Sequence, residues 1–356
     1  MHFRTLATLF WLVPAAGTLA AQHADHEQEA RPAPGPTLRI NGFADVRYVS
    51  SDPAGRTEGF GLGQFDLFMR SQLGDRLGML AELVITPRPA NQFRLTLERL
   101  LVQFEPSDLL NLSIGRFHTS VGYFNATYHH GTWFQAAVDR PLIFAFEGDG
   151  GVLPIHTLGL SAMGRIPSGR WGLRYIIEAG NGRASEASPA VAPQPAIHAT
   201  NGKAVNAGLA IRPEWAEGLQ LGVSAYRDRI TPDTLPPLTE LILAAHALWQ
   251  SSSLQWLNEA LLIRHTPDGG GRQDSRGFYS QLAVTLGSWR PYVRYDYVDV
   301  PAADPLFAHL GRREGPAFGL RYDVDQFAAL KAQYTIRRET LNPDAKRFEM
   351  QLAITF

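Results

Sequence analysis

The sequence predicts an all-β chain, a transmembrane antiparallel β-barrel of about 16 strands with short turns at one rim and long loops at the other. Three observations carry this: an export-type leader, period-two alternation of apolar and polar residues through most of the chain, and connections that alternate between short and long. After the leader no run approaches the roughly 20 apolar residues that a spanning helix needs. Hydrophobic residues make up 45% of the 356 and the net charge is −1. Strands whose alternate residues face a wet lumen accommodate that modest apolar content, and the balanced charge gives no sign of a nucleic-acid partner.

The leader is MHFR, the apolar TLATLFWLVPAAGTLA and the small residues Ala20 and Ala21, so 1–21 reads as a signal peptide. QHADHEQEARPAPGPT, 22–37, is a polar, Pro-rich lead-in. The barrel is expected over 38–356. LRINGFADVRYVS opens it and SDPAGRTEG breaks it. GFGLGQFDLFMRSQLG sets Gln64, Asp66, Phe68 and Arg70 against Phe65, Leu67 and Met69. RLGMLAELVITP and QFRLTLERLLVQFE follow across the short break RPAN, then LLNLSIGRFH after PSD.

A long, poorly alternating stretch covers 119–150. Strand patterning resumes at VLPIHTLGLSAMGRI and RWGLRYIIEAG, followed by a second long break to residue 202. KAVNAGLAIRP, GLQLGVSAYRDR, LTELILAAHALWQ and LQWLNEALLIRH come next; the last two have lengths and flanking turns of strands but also read as helices. GFYSQLAVTLG, WRPYVRYDYVD, PAFGLRYDV, QFAALKAQYTIRR and RFEMQLAITF complete the series. An even strand count returns both termini to the short-turn side, the periplasmic one.

The closing strand puts Phe348, Met350, Leu352, Ile354 and Phe356 on one face. This resembles the terminal signal of outer-membrane β-barrels, which implies pairing with the assembly machinery and location in the bacterial outer membrane. With LRINGFADVRYV and GQFDLFMRSQLGDRLGMLAELV, the chain is similar to the phosphate-selective porin O/P-like group. That resemblance implies a water-filled channel, an inward-folded loop and a homotrimer in outer-membrane lipid.

Of the 33 basic residues only Lys203, Lys331 and Lys346 are lysines. Arg47, Arg70, Arg94, Arg174, Arg294, Arg321, Arg337 and Arg347 fall on polar strand faces, where permanently charged guanidinium groups favour small anionic or polar solutes. Asp45, Asp66, Glu98, Asp296, Asp323 and Glu349 interleave with them, so the expected preference is weakly anionic or mixed. In the 119–150 stretch, Tyr123, His129, His130, Asp139, Glu147 and Asp149 are candidates for a constriction, with acids facing arginines across an opening; an external cap is the alternative.

No cofactor is expected. Cysteine is absent, and His118, His129, His130 and Asp139 lack a metal-ligand spacing. Ser120 beside His118 has no nucleophile motif, and the chain is expected not to be an enzyme. A barrel hydrolase with a spatially assembled triad, or a plugged binding or structural barrel, is the alternative.

Overall fold

The computed structural model describes residues 35–52, 58–128, 131–146, 150–183, 203–232 and 235–356. The leader at 1–21, most of the lead-in, His129, His130, Glu147 and Asp149 lie outside them. Sixteen antiparallel strands close into one barrel in sequence order, β1 pairing with β16. They are β1 (Thr37–Asp52), β2 (Gly59–Gln72), β3 (Leu77–Arg88), β4 (Gln92–Ser107), β5 (Leu110–His118), β6 (His156–Arg165), β7 (Arg174–Asn181) and β8 (Lys203–Ile211). The second half is β9 (Leu219–Ile230), β10 (Leu238–Gln250), β11 (Leu254–Pro267), β12 (Gln273–Val284), β13 (Trp289–Asp299), β14 (Arg312–Asp323), β15 (Ala328–Glu339) and β16 (Ala345–Thr355).

Every expected strand is present, including the two that also read as helices. Two starts differ. β6 begins at His156 instead of Val152, because Val152, Leu153 and Ile155 are buried beneath the preceding loop. β14 begins at Arg312, four residues early, where its ladder extends to Asp299 of β13. The short link expected after the third strand is a tight hairpin. Arg88 pairs with Gln92, and Ala90 and Asn91 both adopt left-handed φ values, 61° and 57°.

The outward faces are apolar. Phe60 is 85% exposed and Leu95 64%, with Leu38, Ile40, Leu62, Ile114 and Leu160 also strongly exposed. So continuous an apolar surface is unstable in water and stable against acyl chains. Near the short-turn rim, Trp249 pairs across the ladder with Trp256, while Trp171 stacks edge-on against Trp215 and Trp289 tilts against Tyr322. This is an interfacial aromatic girdle. The barrel is built to span a membrane.

The seam is closed at the C-terminus. Gly42 N–H donates to the Phe356 carbonyl (2.9 Å) and Phe356 N–H to that of Gly42 (3.1 Å). The Phe356 ring stacks on Phe65 at 6.0 Å and lies over Gly42 so closely that a Cβ there would stand 2.1 Å from its Cζ. Gly42 is thus the groove that seats the last side chain.

Candidate functional site

The described part of loop 119–155 does not cap the barrel. It descends inside, against the inward faces of β7 and β9–β16, so the cap alternative gives way to an inward fold. Glu178 on β7 accepts the Ser120 backbone N–H (3.0 Å) where the loop enters. Gly122 follows at φ 77°, a turn that a Cβ would fill with Phe144 and Glu259 atoms. At the start of the short helix α1 (Phe124–Tyr128), Glu259 takes the backbone N–H groups of Tyr123 and Phe124 together with the Tyr279 hydroxyl (2.9 Å). Tyr128 then reaches the bottom of the wall, where Gln250 and Gln255 donate to its hydroxyl at 3.1 and 3.2 Å. Burial pushes the Tyr123 and Tyr128 phenols up, so both stay neutral.

Apolar packing carries this descent. Val121, Tyr123, Phe124, Tyr128, Ile143 and Phe144 form one core with the inward-facing Tyr226, Ile242, Leu248, Leu257, Leu261 and Tyr279. Phe124 stacks on Phe144 at 5.3 Å and meets Tyr279 edge-on at 6.1 Å. The wall from β9 to β13 therefore meets the loop through apolar and ring contacts.

The loop then runs along β13–β16, where polar groups hold its backbone. Arg321 donates to the carbonyls of Trp133 and Gln135, and Lys331 to those of Thr132 and Ala137. Gln333 accepts the Val138 N–H (3.2 Å) and donates to Asp139 (2.8 Å). Phe134 reaches across to touch Phe43 of β1, with ring centroids 5.1 Å apart. Arg294, fully buried, binds Asp296 (2.8 Å), the Asp139 carboxylate (2.6 Å) and the Asp139 carbonyl (2.9 Å). Burial opposes ionisation of Asp139, but the Arg294 guanidinium and the Gln333 amide outweigh it and hold the carboxyl down at about 2.

Higher up, Arg313 donates to Gly150 O (2.7 Å) and Arg183 to Val152 O (2.6 Å). Arg183 also pairs with Glu240 (3.0 Å), which meets His265 (3.1 Å). His265 in turn meets Asp304 (2.8 Å), whose carboxylate accepts the Ser275 hydroxyl (3.2 Å). The cluster ties the loops that carry Arg183 and Asp304 to the wall.

The predicted wall arginines divide into two groups. Arg294 and Arg321, expected to line water, are instead closed over by the loop, because buried backbone carbonyls and a carboxylate need donors there. The acids-across-an-opening arrangement is likewise replaced, at Asp139, by direct contact. Arg47 binds Asp45 and Arg347 binds Glu349 (2.6 Å), both half-buried on the lumen face. Arg337 is half-buried, Arg70 lies low on β2 paired with Arg39, Arg94 is exposed at the outer end of β4, and Arg174 lines the inner vestibule.

The wall opposite the loop carries Asp66, Glu82 and Glu98 with Arg99, His118 and His156. Arg99 bonds Glu82 (2.5 Å) and lies over Phe68, and His156 Nε2 is 2.8 Å from Glu98. Among the described residues no group of three or more potential ligands is arranged to hold a metal ion. Sequence reasoning missed Lys331, Gln333 and Glu259 as loop anchors. On β15 the signal was a lumen face that stays polar from Lys331 to Arg337, and on β11 an acid set between Leu257 and Leu261.

No family model and no curated protein matches the chain. Solved structures do. The anion-selective porin from Comamonas acidovorans superposes with a TM-score of 0.65 at 13% identity, covering 90% of this chain and 100% of that one. OmpF of Salmonella typhi, solved with daunomycin, gives 0.65 at 12%, covering 90% and 98%. OmpT, an outer-membrane protein of Vibrio cholerae in a trimer form, gives 0.59 at 10%, covering 91% and 100%. The barrel has the porin fold.

Proposed function

We propose that the protein is a bacterial outer-membrane channel through which small polar solutes diffuse passively, with a weak anionic or mixed preference. It performs no chemistry of its own and uses no cofactor. The inward loop carries this reading: it is anchored from β7 round to β16 along a lumen whose other wall stays charged, as expected of a constriction that sizes solutes. Stepwise conductance of the purified protein in planar bilayers is the expected result, and its absence would overturn the channel.

A plugged barrel is the second reading. The apolar core between loop and wall favours it, and silent bilayers with a fully folded protein would select it. Within the channel reading, the likeness to the phosphate-selective group extends to a homotrimer. The likeness to a barrel solved in a trimer form, OmpT of Vibrio cholerae, supports this. A detergent-resistant band at three times the monomer mass, dissociating on heating, is the check.

A further inference from the structure

The outward face changes character from one rim to the other. Near the long-loop ends of β9–β15 it carries Arg227, Arg229, Arg264, Arg276, Arg312 and Arg338. They alternate with inward neighbours, among them the buried Tyr226, Ile263, Ser275 and Arg313, so they point away from the lumen. The short-turn ends of the same strands put Trp256, Leu282, Val293 and Leu330 outward instead. On the other side of the barrel, the long-loop ends of β2 and β4 carry Phe60, Leu62, Phe93 and Leu95. The outward arginines thus gather at one rim and on one side.

Charge on a lipid-facing strand is costly at mid-membrane and nearly free at headgroup level, so this band marks the height of the outer headgroups. Part of it is balanced. Arg229 pairs with Asp268, Arg264 with Asp274 (2.8 Å) and Arg312 with Glu314 (2.9 Å). Arg227, Arg276 and Arg338 form no ion pair among the described residues, which leaves a positive surplus facing the outer leaflet. Beside two of them lies a hollow. Val205, Arg227, Leu241 and Arg264 make one cross-strand row; Ala207, Ala225, Leu243 and Leu262 make the next toward mid-membrane, with Arg276 opposite Leu262. Around that second row an apolar cavity of about 820 Å³ opens on the lipid face, walled by Ile177, Leu209, Val223 and Leu243.

We infer that this face binds an anionic lipid of the outer leaflet, with phosphate on Arg227 and Arg276 and an acyl chain in the hollow. The two arginines stand three strands apart, about 15 Å between backbones, a gap that their long side chains close onto one headgroup carrying two phosphates. The charge surplus and the apolar hollow are complementary to the two ends of such a lipid. The site needs only the membrane-spanning barrel and is independent of the channel reading. The test is native mass spectrometry of the detergent-purified protein, titrated with diphosphoryl lipid A, monophosphoryl lipid A and phosphatidylethanolamine. Wild type is compared with R227Q/R276Q and with A225F, which fills the hollow, A225L replacing the latter if it fails to fold. Folding is first checked by heat-modifiable gel mobility.

Wild type is expected to retain diphosphoryl lipid A about tenfold more tightly than the monophosphoryl form, and phosphatidylethanolamine least. R227Q/R276Q should lose about tenfold in affinity for the diphosphoryl form and no longer separate the two. A225F should weaken both forms by the same factor, because it acts on the chain and not on the headgroup. Undiminished diphosphoryl binding in either variant overturns the site, as does wild type that retains phosphatidylethanolamine equally well or retains no lipid. An oligomer that A225F dissociates, with no lipid bound, would give the hollow to a second copy of the chain and overturn the lipid assignment.

Discussion

Replacing Arg294 with methionine removes the group that ties the loop to β13. Asp139 keeps 26% of its side chain accessible, while Arg294 has none. Holding the Asp139 carboxyl near 2 instead of its ordinary 3.8 corresponds to about 2 kcal/mol of docking free energy. Removing one partner of a buried pair leaves the other uncompensated and costs about 3–5 kcal/mol. Asp296 loses its guanidinium as well, so the upper part of that range applies. The barrel ladder is untouched, since its hydrogen bonds are between backbones. The expected outcome is a folded barrel with a loosened loop: larger, noisier single-channel currents and new chymotryptic cleavage after Phe144, which in the docked loop is buried and stacks on Phe124. R294M/D139N should lose less than the sum of its single variants. A chymotrypsin-resistant R294M with wild-type conductance would refute the docking role.

Further outcomes follow from other anchors. Because the Asp139 pKa is depressed on folding, its contribution is fully present above about pH 4 and is lost as pH falls through about 2; wild-type conductance should hold steady from pH 7 to 4 and become noisy only below that. Glu259→Ala strips three donors of their acceptor and should weaken loop docking by about 3–5 kcal/mol, read as faster amide exchange at Tyr123 and Phe124; unchanged protection there would count against it. Gly42→Val collides with the Phe356 ring and should lower the unfolding temperature by opening the β1–β16 seam, with a normal melting curve as the contrary result. Phe356→Asp should reduce outer-membrane levels in cells more than stability in detergent; equal levels would remove the terminal residue from the insertion step.

The strands were readable because lipid on one side and water on the other impose a period of two, and a one-residue slip would reverse every side chain. Where that contrast fails, reading fails. LTELILAAHALWQ looks helical because both of its faces are apolar: Leu241, Leu243 and Trp249 face outward, and Leu238, Ile242 and Leu248 meet the loop. The same cause hid the start of β6, whose preceding Val152–Ile155 is buried as firmly as any strand. The arginines were visible as residues on a lumen face. Nothing local distinguishes Arg294, which is covered, from Arg174, which lines a cavity.

Barrel closure, strand order and the outward apolar face were thus determined by the sequence alone, since each follows from alternation and from the lengths of neighbouring links. The loop's path was decided by tertiary structure. It depends on contacts between residues more than a hundred positions apart, Tyr123 with Glu259 and Asp139 with Arg294, which form only once the wall is closed. The same closure sorts identical guanidinium groups, leaving some as loop anchors and gathering Arg165, Arg174 and Arg212 at the inner mouth.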